Sequence, residues 1–212
     1  MMRYFTGFIL VLICYLSSGC MTTATLPEKK RPHTWATRLD QRYNFYQISP
    51  MLFRSERPNF KFAAQLQQHH IDVVINLRGG NLDHYVLDST RYQLHQVAIH
   101  TWAINRKNLL DVMRIIQQAQ QQQQKILIHC YHGSDRTGAA VAMYRIIFQH
   151  WRTEDALAEM QHGGYGFHWI WRNIPALFSP ENIKWIREQL TNPSTFSSNA
   201  NGQKMPLQHS RH

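Results

Sequence analysis

KILIHCYHGSDRTGAAVAMYRIIF, Lys125 to Phe148, passes through three patterns in quick succession. Its opening aliphatic residues make the short apolar run of a buried strand. A polar stretch with Gly133 at its centre follows and reads as a loop. From Thr137 onward, TGAAVAMYRIIFQH is the composition of a packed helix. The predicted unit is strand, tight loop, helix, with Cys130 at the end of the strand and Arg136 six positions on, where the loop meets the helix.

The same alternation extends outward. NFYQI and MLFRS, split by Ser49 and Pro50, predict two short strands joined by a turn. FKFAAQLQQHH predicts a short helix, IDVVINL a buried strand running into Arg78, Gly79 and Gly80, LDHYVLDSTRY a helix, and LHQVAI a strand. KNLLDVMRIIQQAQQQQQ has Leu109, Leu110, Met113, Ile116 and Ala119 at helical spacing, and its glutamine run reads as the solvated end. Thr153 is placed to cap TEDALAEMQH, and Ser179 with Pro180 to start PENIKWIREQL. Strands alternating with helices define an α/β fold with a central, largely parallel sheet flanked by helices. Such sheets bind ligands at the carboxyl ends of their strands, where Cys130 falls.

At 212 residues the chain holds one domain with a proper core. MMRYFTGFILVLICYLSSG, residues 1–19, reads as an export signal: Arg3 is the charged start, Phe5 to Leu16 the apolar stretch, and small residues follow. Retention of that stretch as a single anchor helix is the alternative, although it is short of the roughly 20 residues of a membrane span. SSGC resembles the lipobox of bacterial lipoproteins and implies acylation of Cys20, with Leu16 one position further from the cysteine than usual. The lack of Asp at position 21 implies the outer membrane. Residues 20–40 read as a lipidated tether, 41–190 as the folded domain and 191–212 as a disordered tail. The chain is expected to be exported, lipid-anchored at the outer membrane facing the periplasm or secreted.

Of three cysteines, Cys14 leaves with the signal and Cys20 takes lipid, so Cys130 stands alone and forms no internal disulfide. A formal charge of +10 calls for an anionic partner. Scattered basic residues without a nucleic-acid-binding signature argue against nucleic acid and leave a phosphorylated substrate or an acidic membrane.

A loop running from strand end to helix start turns backbone N–H groups toward a tetrahedral anion, and the helix dipole adds partial positive charge there. The same groups, with Arg136, stabilise a thiolate at Cys130. The planar Arg136 fork binds two phosphate oxygens at once. Asp135, beside it, is the nearest carboxylate for protonating a leaving oxygen. A Walker loop is excluded because Gly-Lys-Ser/Thr is missing. Zinc held by His129, Cys130 and His132 would need a fourth ligand. A cysteine protease would leave Arg136 unexplained. His129 is assigned to ordering the loop.

H-C-x-x-x-x-x-R-T-G resembles the signature of the protein tyrosine phosphatase superfamily, and the RSERP and NLRGG segments resemble bacterial dual-specificity-like members. The resemblance implies the phosphotyrosine protein phosphatase-like fold and a phosphoric monoester hydrolase working through phosphocysteine, with no metal or cofactor. It implies Cys130 as nucleophile, Arg136 as phosphate ligand, Thr137 as support for the departing thiolate, and a substrate cradle of Tyr131, His132, Gly133, Ser134, Asp135, Arg136 and Thr137. Phosphorylated protein, or phosphorylated lipid or polyol, is the implied partner. Many members carry their general acid on a separate mobile loop, and IHTWAINRKN contains neither Asp nor Glu. The variant C-x-x-G-x-D-R-T resembles the loop of mycobacterial secreted and myotubularin-like phosphatases and points to Asp135 instead, with His100 and Asp83 in reserve. The missing acid also sustains an alternative, a phosphate-binding module without turnover. Tyr165, Phe167 and His168 are equally placed to line a pocket rim or to pack internally. Arg54, Arg57, Arg78 and Arg106 are expected to be solvated, the alternative being recognition of a multiply phosphorylated ligand.

Overall fold

The structure, a computed structural model, describes residues 21–192. The export signal read in 1–19, the acylation read at Cys20 and residues 193–212 of the tail read as 191–212 lie outside the described residues, and Thr191 is the last residue of a helix.

Six strands form one sheet: β1 (Thr37–Asp40), β2 (Phe45–Ser49), β3 (Leu52–Ser55), β4 (Val73–Asn76), β5 (Gln93–Gln96) and β6 (Ile126–His129). Their order is β1-β2-β3-β6-β4-β5, with β3, β6, β4 and β5 parallel and β1 and β2 added antiparallel at one edge. Alternating side chains feed two cores, because successive strand residues point to opposite faces. Leu52, Val73, Ile75, Ile126 and Ile128 face the larger core. Phe53, Val74 and Leu127 face a smaller one with Phe62 and Leu66. The smaller core is closed by α1 (Phe60–Gln68). On the other face lie α2 (Arg106–Gln121), α3 (Asp135–Phe148), α4 (Thr153–His162) and α5 (Pro180–Thr191). Burial on both faces explains the near-continuous apolar strands.

Helix α3 is sandwiched between the sheet and its neighbours, so Thr137 to Ile147 are all buried and its alanines allow close approach. In the sheet register Ser55 and Asn76 flank His129, placing three strand ends level where the loop begins.

Three local readings are corrected. LDHYVLDSTRY forms only a turn of 3-10 helix at Asp83–Tyr85. The Asp88 carboxylate accepts from the Thr90 amide at 2.8 Å, a local turn that competes with helix propagation. Thr153 is the first helical residue of α4 rather than its cap, a position held by Arg152 without a side-chain bond. Residues 21–40 are not a free tether: β1 joins the sheet, Trp35 is buried, and the Ala36 amide donates to Glu159 at 2.7 Å. A single buried Trp leaves no periodic trace, which is why this segment looked structureless. Ser179 does cap α5, accepting from the Asn182 amide, with Pro180 in its first turn.

Candidate active site

The loop between β6 and α3 is held from outside by its carbonyls. Cys130 O is approached by His129 Nδ1 at 3.1 Å, Tyr131 O accepts from the Arg57 amide, and His132 O from Asn44 Nδ2 at 2.8 Å. Gly133 O accepts from Arg54 Nη2 at 2.6 Å, and Ser134 O from the Gly138 amide at 2.7 Å. In a trans peptide, carbonyl and amide point opposite ways, so five carbonyls turned outward turn the following five amides inward. Among the described residues, no backbone amide from Tyr131 to Arg136 donates to a protein acceptor. Such a ring of inward-facing amides at a helix N-terminus is an anion cradle.

Gly133 makes this curvature possible. Its φ is +71°, and a Cβ there would lie 2.4 Å from Ser55 O and 2.7 Å from the Glu56 amide nitrogen. The loop presses directly on the end of β3, and only glycine fits.

Cys130 is a free thiol, 2% exposed. Tyr131, His132, Asp135 and Arg136 line a pocket of about 570 Å³ together with Arg78 and His168. The Arg136 guanidinium is aimed by Nη1, which donates to Ile99 O at 3.1 Å and Leu77 O at 3.3 Å. Both carbonyls follow neighbouring strands, so the sheet itself orients the side chain. Asp135 accepts from the His168 amide at 2.8 Å, and His168 Nδ1 lies 2.9 Å from Asp135 Oδ2. The Thr137 hydroxyl is buried without a hydrogen-bond partner, and the Ser134 hydroxyl donates to Tyr165 O.

Behind the loop lies a buried polar network. Arg54 is 0% exposed and its guanidinium sits 3.7 Å from the centre of the Tyr165 ring. Burial pushes the Arg54 pKa down from the usual arginine range. Tyr165 donates to Glu159, which also holds Arg145 through Nε and Nη2 at 2.7 and 2.8 Å. Burial, with Glu159 beside it, pushes the Tyr165 hydroxyl above its ordinary range. The chain from Arg145 through Glu159, Tyr165 and Arg54 ends on Gly133 O.

The structure therefore separates the candidates. Asp83 is buried, its Oδ2 bonded to His129 Nε2 at 2.7 Å, and His100 stacks on Trp102; neither lines the pocket. Tyr165 and Phe167 are interior, whereas His168 is at the pocket, so one short segment serves both purposes. Arg54 corrects the expectation of a solvated side chain, and Arg78 lines the pocket. Arg57 stands over Tyr131, and Arg106 lies over Trp185. Met21, Thr101 and Ile170 also line the pocket, and sequence reasoning did not find them. None carries a motif.

Comparison with known proteins agrees with this geometry. Residues 52–167 match the model of the dual specificity phosphatase catalytic domain. The chain is 32% identical over 198 residues to the dual specificity protein phosphatase TpbA of Pseudomonas aeruginosa, covering 88% of this chain and 86% of that protein. A crystal structure of that TpbA superposes with a TM-score of 0.70 at 32% identity, covering 77% of this chain and 100% of the other. A second, of a cysteine-to-serine variant in complex with phosphotyrosine, gives the same TM-score and identity over 77% and 99%. The chain belongs to the dual specificity phosphatases.

Proposed function

We propose that the chain hydrolyses phosphate monoesters on proteins through a phosphocysteine at Cys130. The carrying observation is the loop with its carbonyls turned outward, four of them hydrogen-bonded, and its amides unengaged, with Arg136 held beside it by carbonyls that follow two strands. The Cys130 thiolate attacks phosphorus, the ester P–O bond breaks, and Asp135 supplies the proton that the leaving oxygen takes up. Water then attacks phosphorus, the P–S bond breaks, Asp135 takes back the proton, and inorganic phosphate leaves. The amides and Arg136 follow the equatorial oxygens through both transition states. The buried, unpartnered Thr137 hydroxyl is suited to donating to the sulfur when it leaves. Asp135 serves as acid because it is the carboxylate lining the pocket, whereas Asp83 is engaged with His129. His168 orients it.

The phosphotyrosine complex of the P. aeruginosa relative supports an aryl phosphate on protein, and phosphoserine is the second substrate expected of a dual specificity family. A multiply phosphorylated lipid or polyol is less well served. Of the four arginines weighed for that role, Arg54 is buried and Arg106 lies on Trp185. The N-terminal sequence supports export and anchoring through Cys20, facing the periplasm.

Rapid-quench kinetics with p-nitrophenyl phosphate tests the reading. A burst of nitrophenol equal to the enzyme concentration, abolished by Cys130→Ser, is expected. Hydrolysis by Cys130→Ser at the wild-type rate would overturn it, and binding of phosphate without any turnover would favour the non-catalytic alternative.

A further inference from the structure

The N-terminal strap leaves the domain at the active-site mouth. Met21 lines the pocket and its carbonyl accepts from the Trp169 amide at 3.2 Å. Thr22 bridges to His168, the Thr23 amide donates to Phe167 O at 2.7 Å, and the Leu26 amide to His162 O at 2.9 Å. The exit point is thereby fixed. Met21 is the first described residue and follows position 20 directly in the sequence. Any anchor at or before Cys20 is joined to the rim of the pocket.

The rim itself is unusual. Among the described residues eight large hydrophobic side chains are exposed, and five gather here. Met21, Tyr131 and Ile170 line the pocket. Trp102 adjoins the lining residue Thr101, and Trp169 lies between His168 and Ile170; they are 70% and 52% exposed. Asn173 Nδ2 donates to Thr101 O at 2.8 Å, tying the two tryptophan-bearing segments together. Arg78 lines the same pocket, Arg57 stands over Tyr131, and exposed Arg172 follows the lining residue Trp171. Tryptophan, tyrosine and arginine together suit the headgroup boundary of a bilayer, where ring bodies insert and cations meet lipid phosphate. An anionic leaflet attracts such cations further.

We infer that the pocket mouth is a membrane-contacting face: Trp102, Trp169 and Ile170 sit in the headgroup region, and the site opens onto phosphorylated protein segments lying at the bilayer surface. This deepens the proposed function and rests on its anchoring reading. The chain's own residues 1–20, or a second copy, are the competing occupants of the apolar rim. A strap that fixes the anchor at the rim favours the bilayer over both.

The full chain is placed in vesicles of phosphatidylcholine and phosphatidylglycerol, roughly three to one, with or without lipids brominated near the headgroup. Brominated lipid is expected to quench tryptophan emission. Replacing both rim tryptophans, Trp102→Phe with Trp169→Phe, is expected to remove about half or more of that quenching, because these are the side chains at headgroup depth. Absence of quenching, or equal quenching in the double variant, overturns the inference and returns the rim to one of the competing occupants. Hydrolysis of soluble p-nitrophenyl phosphate is followed in the same samples and is expected to be equal in both proteins. Loss of hydrolysis in the wild type with quenching intact would count against the phosphatase chemistry, and intact hydrolysis without quenching against the orientation.

Discussion

Gly133→Ala places a methyl group in the loop and Gly138→Ala places one in the first turns of the helix that follows it, and the structure assigns them different outcomes. At Gly133 the new Cβ would stand 2.4 Å from Ser55 O and 2.5 Å from Ser55 C, both backbone atoms of β3. Real Cβ contacts do not fall below 3.0 Å, so the loop or the strand end must move by at least about 0.6 Å. Left-handed backbone costs a non-glycine residue about 1–2 kcal/mol, and overpacking adds about 1–3 kcal/mol. At about 2–4 °C per kcal/mol for a domain of this size, Tm should fall by on the order of 10 °C. The displaced amides lie in the anion cradle, and misplacement approaching 1 Å costs about a hundredfold in rate. At Gly138 the nearest atom is Met160 Cγ at 3.0 Å, part of a flexible side chain that yields. Alanine gains up to about 1 kcal/mol over glycine within a helix, which offsets the crowding. Thermal melts and p-nitrophenyl phosphate kinetics should show Gly133→Ala depressed in both Tm and kcat, and Gly138→Ala close to wild type in both. Wild-type kcat in Gly133→Ala would refute the claim that contact with Ser55 sets the cradle.

Arg54→Met should separate stability from activity. The unpaired Gly133 carbonyl and the lost ring contact cost about 1–3 and about 2 kcal/mol, while relief of a buried cation returns several, so Tm moves little. With the loop untethered, kcat should fall about tenfold or more, and an unchanged kcat would remove Arg54 as a positioning residue. Asp135→Asn should cost about a hundredfold on phosphoserine peptide and far less on p-nitrophenyl phosphate, whose leaving group needs little protonation; equal losses on both would remove it as the acid. Burial lowers the pKa of His69 and His95, so the unfolded chain binds more protons than the folded one at mildly acid pH. Their contribution to stability is full above about 6.5 and is lost as pH falls through the lowered folded values. Melts at pH 7.5 and 5 should show a drop in Tm that His95→Gln reduces.

What sequence could reveal divides along a physical line. Side chains whose chemistry is local were legible: Cys130, Gly133, Asp135 and Arg136 sit within seven residues, and strand-to-helix periodicity alone orients the loop that carries them. The supports were not. Arg54 belongs to a strand whose neighbours look like any edge, and arginine is ordinarily solvated. Only the pairing of β3 with β6 carries it under Gly133, where Tyr165, from beyond α4, supplies the ring that accepts its cation. Glu159 connects that ring to Arg145 and to the Ala36 amide, so a segment that looked like a tether is built into the scaffold behind the cradle. A buried cation without a carboxylate against it is costly, and its retention makes sense where carbonyl oxygens must be held so that amides stay turned inward. The expense falls on the support, and the reactive face of the loop is left with unengaged donors for a substrate to meet.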